Sequence, residues 1–387
     1  MLVFYGVGVT VGAGIYALIG EILAIAGDFA PFSFLIAGGV AGVTAFSYSK
    51  LVPRFPRAGG EAVYVNRALG SFWAILVGYG IVLAGTVSSA VITIAFAGYL
   101  QVIVLLPTEL IAAIVVIALG LTAWFGIRES IYVAAVITVL ELAVLLIIIA
   151  AGVKNLGELP YVFSRGTENW SLFSFSAVLS AAILAFFAFI GFEDIANMAE
   201  ETIAPERTVP RAIVWTLVIT VLIYMSLSLI AISAPDRSAI TSSSAPLAVL
   251  FSQLTGLPGA SIAAAASIAM INGVLVQMIM ASRVLYGMAN EGIAPAWLNK
   301  VSETRKTPAR ATFIVAGAIL SLALFFPLVS LAEFTSLLVL GVFTSVNFSL
   351  FLLGHNSEKE FLGKYKWWGL FGAVLSLAIA AYAIVVG

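Results

Sequence analysis

About eleven apolar stretches, each near the roughly 20 residues that an α-helix needs to cross a hydrocarbon layer, divide this chain almost end to end. They run over residues 2–26, 31–50, 71–104, 108–126, 130–152, 174–199, 210–234, 257–289, 311–327, 331–354 and 367–386, with short polar or Pro/Gly-containing breaks between them. This pattern predicts an all-α polytopic protein whose first partner is the lipid bilayer. Composition agrees: of 387 residues 62% are apolar and 10% charged, where a soluble domain carries about 45–50% and about 25%. The first stretch is long enough to span, so it reads as a helix and not as a cleavable leader. Eighteen Lys+Arg against 19 Asp+Glu give a net charge of -1, which offers no basic face for nucleic acid. There is no cysteine and a single histidine, His355. Disulfides, thiolate catalysis and Cys/His metal sites are therefore excluded, and an enzyme is disfavoured. No cofactor is expected either, because Gly6-Val7-Gly8 lacks the preceding strand and the correctly placed third glycine of a nucleotide-binding turn.

Orientation follows from the basic residues, which concentrate in cytoplasmic loops. With the N-terminus inside, the inner loops collect Lys50, Arg54, Arg57, Arg67, Arg128, Arg207, Arg211, Arg283, Lys300, Arg305, Lys306, Arg310, Lys359, Lys364 and Lys366, or 15 of the 18. Lys154, Arg165 and Arg237 fall outside. The expectation is a cell-membrane protein with a cytoplasmic N-terminus. His355 then lies at an inner boundary as a solvated turn residue, and Asn169-Trp170-Ser171 reads as an outer glycosylation acceptor with meaning only in a eukaryote.

Two spans carry glycine breaks that a plain lipid anchor does not need: Gly12-Ala13-Gly14 in the first and Gly191-Phe192-Glu193 in the sixth. Taken alone, either cluster also suits close helix packing, since Gly8 and Gly12 form a small-xxx-small pair. Their matched placement argues for more. An odd number of spans separates them, so a duplicated unit would lie upside down relative to its copy, as in secondary transporters. That divides the chain into repeats at 1–153 and 170–354, with an additional C-terminal helix in 355–387.

Breaking a helix at mid-membrane exposes backbone groups, which is tolerated only where they line a cavity or a ligand. The half-helix after Gly12-Ala13-Gly14 offers free N–H groups and a positive dipole end to a carboxylate. The half-helix before Gly191 is expected to end in unpaired carbonyls suited to an ammonium. One face for each charge describes an α-amino acid.

Four segments, in order, resemble the amino acid–polyamine–organocation transporters. Gly6-Val7-Gly8-Val9-Thr10-Val11-Gly12-Ala13-Gly14-Ile15-Tyr16 is similar to the family's broken first helix, and Ser47 through Glu61 to the basic loop after its second. Phe186-Phe187-Ala188-Phe189-Ile190-Gly191-Phe192-Glu193, with the following Ala199-Glu200-Glu201 and Pro205 to Pro210, resembles the broken sixth helix and its loop. Ala281 through Ala289 resembles the end of the eighth. The resemblance implies a five-plus-five inverted-repeat fold of the leucine-transporter type, with broken helices 1 and 6. It also implies a substrate carboxylate on the glycines around Gly12, Ala13 and Gly14, and an amine on the carbonyls of Thr10, Phe187 and Ile190, beside Ala188 and Gly191. Phe187 would be the aromatic that closes over the substrate. No charged residue lies mid-way in the third or tenth span, and Glu333 is near the start of the tenth, so the expected substrate is a neutral, small or apolar amino acid.

Ionisable side chains at membrane depth default to functional hypotheses. Glu141 stands without another charge in the fifth span, where family members often carry a lysine. A carboxylate there can carry a coupling proton or help bind a cation, and its bland alternative is a protonated, hydrogen-bonded glutamate. Glu193 matches a glutamate that relatives use in gating and protonation, beside Asp194. Ser267 offers a hydroxyl for sodium but is not diagnostic. Arg54, Arg57, Arg207, Arg211 and Arg283 can pair with Glu200, Glu201 and Glu206 as an inner gate. The leading reading is a proton-coupled amino acid symporter. An exchanger or sodium symporter shares its fold, and a channel or non-transporting receptor is the alternative class, although no pore loop or ring of like charge is found.

Overall fold

Segments that are apolar all round need no water-facing side, and in lipid they must satisfy their own backbone, so they become helices. The computed structural model describes residues 1–56, 59–126, 131–168, 171–302, 307–356 and 361–386. Arg57, Ala58, Arg128, Asn169, Trp170, Arg305, Lys306 and Lys359, named above, lie outside the described residues. In chain order the helices are α1 (Leu2–Thr10), α2 (Ala13–Ala26), α3 (Ala30–Leu51), α4 (Gly60–Leu69), α5 (Ser71–Gln101), α6 (Thr108–Phe125), α7 (Ile131–Gly152), α8 (Leu159–Glu168) and α9 (Leu172–Phe187). They continue as α10 (Asp194–Asn197), α11 (Pro205–Ile232), α12 (Arg237–Thr241), α13 (Pro246–Thr255), α14 (Ala260–Asn290), α15 (Ala309–Phe325), α16 (Leu328–Asn356) and α17 (Lys366–Val386). The long helices end within a few residues of the apolar runs. The fold is all-helical and polytopic. The short helices α4, α8, α12 and α13 occupy stretches where only loops were expected.

Four helix pairs carry much of the packing, and α16 also packs on α5. Counting from each break, α2 lies on α9, α3 on α11, α5 on α14 and α6 on α15. The partners also match in length, α5 and α14 having 31 residues each and α6 and α15 having 18 and 17. The final helix, α17, packs outside this arrangement on α16 and α3.

Basic loops gather at one end of the bundle. There the Lys50 ammonium lies 4.5 Å from the Phe46 ring and 4.6 Å from Tyr365, and Arg310 donates to the Trp297 carbonyl at 3.0 Å. At the opposite end Arg237 pairs with Asp28. His355 is exposed at the end of α16 and stacks on Phe351.

A buried polar link ties α3 to α16. Ser47 donates to the Asn347 side-chain oxygen at 2.6 Å, and the Asn347 amide donates to Thr44 at 2.9 Å. All three are fully buried. Asn347→Ala leaves two hydroxyls without their partner, and the expected cost is about 1–2 kcal/mol. Thermal unfolding in detergent should show a lowered midpoint for this variant and an unchanged one for Ser226→Ala, whose hydroxyl bonds only within its exposed helix face.

Candidate functional site

The first apolar span is interrupted where expected. α1 stops at Thr10, and α2 restarts at Ala13 with Gly12 as its N-cap and no side-chain cap. The first-turn N–H groups of α2 therefore point into the break without an intrahelical acceptor. The sixth span is interrupted too. α9 ends at Phe187, Gly191 takes φ +121, and the chain resumes helical form at Asp194. That φ lies in a region that a residue with a side chain rarely adopts.

The two breaks touch. A Cβ on Gly14 would stand 2.6 Å from Ala188 Cα, and one on Gly191 would stand 3.0 Å from the Val9 carbonyl oxygen. A Cβ on Gly6 would collide with Ile195 of α10, and one on Gly8 with Thr138 of α7. Gly8 is thus a close-packing glycine, as its spacing allows. Gly12 differs, because its nearest neighbour would be Val9 O at 3.5 Å. A Cβ on Gly12 would thus meet only its own turn at ordinary contact distance, while the space beside Gly14 is filled by Ala188.

One side chain joins both breaks. The Tyr224 hydroxyl, from α11, lies 3.0 Å from the Thr10 carbonyl and 2.8 Å from the Ala188 carbonyl. It has one proton to donate, so the two oxygens share it. Tyr224 is fully buried and packs on Phe189 and Phe34 at ring distances of 5.1 and 5.7 Å. Sequence reading missed this residue. Its only trace is the row Thr216, Thr220, Tyr224, Ser228, four buried hydroxyls at helical i+4 spacing on α11.

The expectation of unpaired carbonyls at the end of α9 needs correction. Ala188, Phe189 and Ile190 donate back to Ala185, Phe186 and Phe187 at 3.1, 3.0 and 3.2 Å. This tightening to i→i+3 bonds satisfies the Phe187 oxygen, and Tyr224 takes that of Ala188. A carbonyl holds two lone pairs, so Thr10 and Phe187 retain capacity for a second donor. Phe187 itself is buried, whereas its neighbour Phe186 packs on Phe343 at 5.7 Å.

Glu141 sits on α7 beside the first break. It is 5% exposed, one turn from Thr138, and its backbone carbonyl accepts from the Tyr16 hydroxyl at 3.0 Å. Tyr99 of α5 donates in turn to the Tyr16 carbonyl at 3.0 Å and accepts from the Leu247 N–H at 3.2 Å. A buried chain of tyrosines thus fastens α2 to α5, α7 and α13. Glu193 is half-buried, and its carboxylate accepts from the Gly191 N–H at 2.9 Å, which fixes the turn of the second break. The Ser267 hydroxyl donates to the Ala263 carbonyl of its own helix at 2.8 Å. The expected inner-gate ion pairs are not formed: among the described residues Arg207, Arg211, Arg283, Glu200, Glu201 and Glu206 make none.

Two broken helices thus meet inside the bundle, and comparison with known proteins shows the family. The model of a family described as amino acid permease matches residues 1–387. The chain belongs to the amino acid permease family. It is 31% identical to an uncharacterized transporter of Mycobacterium tuberculosis over 91% of this chain and 79% of that one. It is 26% identical to a branched-chain amino acid permease of Bacillus subtilis, again over 91% and 79%. A vacuolar cationic amino acid transporter of Arabidopsis thaliana is 28% identical over 89% of this chain and 61% of its own length. This permease is accordingly an integral membrane protein of a transporter family.

The glycine geometry makes a contrast that can be measured. Gly14→Ala forces backbone apart at Ala188 and is expected to lower the unfolding midpoint of the permease by a margin well beyond that of Gly12→Ala, in keeping with about 1–3 kcal/mol for overpacking. Equal midpoints for the two variants would show that the breaks are not in contact.

Proposed function

We propose that this permease is a secondary active transporter that carries a neutral α-amino acid across the cell membrane by alternating access, in symport with protons. The observation that carries the reading is the contact of the two breaks, where the Thr10 and Ala188 carbonyls converge on one hydroxyl within 3.0 Å. The substrate carboxylate is assigned to the N–H groups at Gly12, Ala13 and Gly14. Its ammonium is assigned to the carbonyls of Thr10, Phe187 and Ile190, next to Ala188 and Gly191, with Phe187 closing over it. Substrate arrival would compete with Tyr224 for the Thr10 carbonyl and so loosen one break from the other.

The packing of like-ranked helices supports the division into inverted repeats at 1–153 and 170–354, with 355–387 added. Rocking of one helix set against the other then exposes the breaks to each side in turn. The gathering of basic loops at one end supports a cytoplasmic N-terminus through the positive-inside rule.

A neutral substrate fits the uncharged middles of α5 and α16, since Glu333 is half-buried near the start of α16. Among the matched relatives, the one named for branched-chain amino acids suits this better than those named for cationic ones. Proton coupling is assigned to Glu141, a buried carboxylate adjoining the first broken helix. Sodium is less well served, because the Ser267 hydroxyl is committed to its own helix.

Uptake into vesicles of purified protein tests this reading. Saturable exchange against preloaded amino acid, driven by an inward proton gradient and indifferent to sodium, is the expected result. In Glu141→Gln the gradient should no longer drive accumulation, while exchange persists. Flux that rises linearly with concentration would indicate a channel, and unchanged proton-driven accumulation in Glu141→Gln would refute the coupling assignment.

A further inference from the structure

The seam between α16 and α17 is made on glycine. A Cβ on Gly369 would stand 2.6 Å from the Asn347 carbonyl oxygen, one on Gly372 2.6 Å from the Asn347 side-chain oxygen, and one on Gly354 2.8 Å from the Leu362 carbonyl oxygen. Small residues let two helices approach this closely in lipid, where packing itself drives association. Larger side chains then stand on the flank of the seam and not in it. On the flank towards α5 they leave a furrow of about 380 Å³, whose walls include Leu69, Trp73, Thr344, Ser345, Phe348 and Leu377. Trp73 and Leu377 are exposed, so the furrow opens sideways to the surrounding lipid.

The walls call for an apolar occupant. Both hydroxyls are committed to their own helix, Thr344 donating to the Leu340 carbonyl at 2.8 Å and Ser345 to the Gly341 carbonyl at 3.1 Å. Neither proton is left for a polar guest. A void at this depth forfeits dispersion contacts along its lining. An acyl chain, running along α16 and α17, has the shape and chemistry to restore them.

Towards the basic end of the bundle the furrow leads to cations. Phe348 stacks on Phe351 at 5.8 Å, and Phe351 lies 6.0 Å from both His355 and Trp367. The Lys366 ammonium stands 5.8 Å from the Trp367 ring. An aromatic wall thus runs from the apolar lining to the first residue of α17. On the other bank Arg67 precedes Leu69 by two positions, is exposed, and among the described residues makes no ion pair. Acids are scarce at this mouth. α5 and α17 carry none, Glu333 lies at the far end of α16, and Glu61 of α4 is buried, its carboxylate accepting from Tyr48 at 2.9 Å. Glu358 and Glu360, between α16 and α17, lie outside the described residues. Trp73 and Trp367, exposed on the two banks, are of the type that gathers at headgroup level.

We propose that this furrow binds one anionic phospholipid of the leaflet on the basic side, with an acyl chain along Phe348 and Leu377 and the phosphate held at the mouth by Lys366 and Arg67. Apolar wall, aromatic belt and cations follow one another in the order of chain, glycerol and headgroup. Basic pockets between spans on the cytoplasmic side suit such headgroups. A second recess, whose walls include Ile36, Phe186 and Tyr382, is lined by no cation and so has no means of choosing a headgroup. The bound lipid bridges α4, α5, α16 and α17, and a ligand that binds only the folded chain stabilises it. The site stands apart from the helix breaks and does not rest on the transport reading.

Native mass spectrometry of the full chain, titrated in detergent with dioleoyl phosphatidylglycerol or dioleoyl phosphatidylcholine, reads the site directly. Thermal unfolding in the same mixtures reads its effect. The expected result is one retained phosphatidylglycerol, bound at least about tenfold more tightly than phosphatidylcholine, with a raised unfolding midpoint. Arg67→Gln and Lys366→Gln should each weaken phosphatidylglycerol about fivefold and leave phosphatidylcholine unchanged, since a cation beside an anionic headgroup is worth about that much. Val374→Trp, at an exposed position on the furrow, should fill it and weaken both lipids. Lys154→Gln, an exposed lysine beyond α7, should change neither. Equal affinity for the two lipids, or an undiminished preference when Arg67→Gln and Lys366→Gln are combined, would overturn the proposal. So would a mass of two chains in place of chain plus lipid, lost in Val374→Trp, because it would assign the furrow to a second copy.

Discussion

Every peptide group inside a lipid bilayer must find a hydrogen-bond partner within the protein, and an unbroken helix meets that demand at no further cost. Two spans of this permease decline that solution. α1 and α2 are separated at Val11 and Gly12, and α9 and α10 at residues 188–193. Much of the surrounding structure can be read as compensation. α9 tightens into i→i+3 bonds, Glu193 caps the Gly191 N–H, Tyr224 holds the Thr10 and Ala188 carbonyls, and the glycines let the two interruptions settle against each other. The first turn of α2 and the spare lone pairs opposite it are the groups assigned to the substrate in the proposed function.

Acidic residues are distributed in keeping with this. Glu141 abuts the first break and holds Tyr16 through its backbone carbonyl, and Glu193 caps the Gly191 N–H of the second through its carboxylate. Glu61 stands one layer further out, where α4 closes over α10 through Asn197. Among the described residues neither Glu141 nor Glu61 is paired with a base, which distinguishes both from the Arg237–Asp28 pair at the opposite end.

The large-scale fold was legible because lipid imposes a length on each span and glycine betrays an interruption. The run 71–104 became Ser71–Gln101, and 257–289 became Ala260–Asn290. The clusters at Gly12 and Gly191 fell on real breaks. The distinct roles of neighbouring glycines were not legible: Gly14 makes room for Ala188 and Gly8 for Thr138, while a Cβ on Gly12 would meet only its own turn, and only the path of a second helix decides which. Tyr224 was invisible because its partner Thr10 lies 214 positions away. Glu61 was read as part of a basic loop, since nothing local to Gly59-Gly60-Glu61 announces that α10 will bury it. The inner gate of arginines and glutamates failed for the opposite reason: charge and position allowed the pairs, and side-chain geometry did not form them.

The central claim is that bare main-chain atoms from two interrupted helices hold both charged ends of an α-amino acid. Calorimetric titration of the purified permease with one well-bound amino acid, its amide and its deaminated acid tests this directly. The account predicts that loss of either charge weakens binding by more than about a hundredfold, roughly 2.7 kcal/mol. Comparable affinity for the amide or for the deaminated acid would mean that the breaks do not bind both ends, and the account would be wrong.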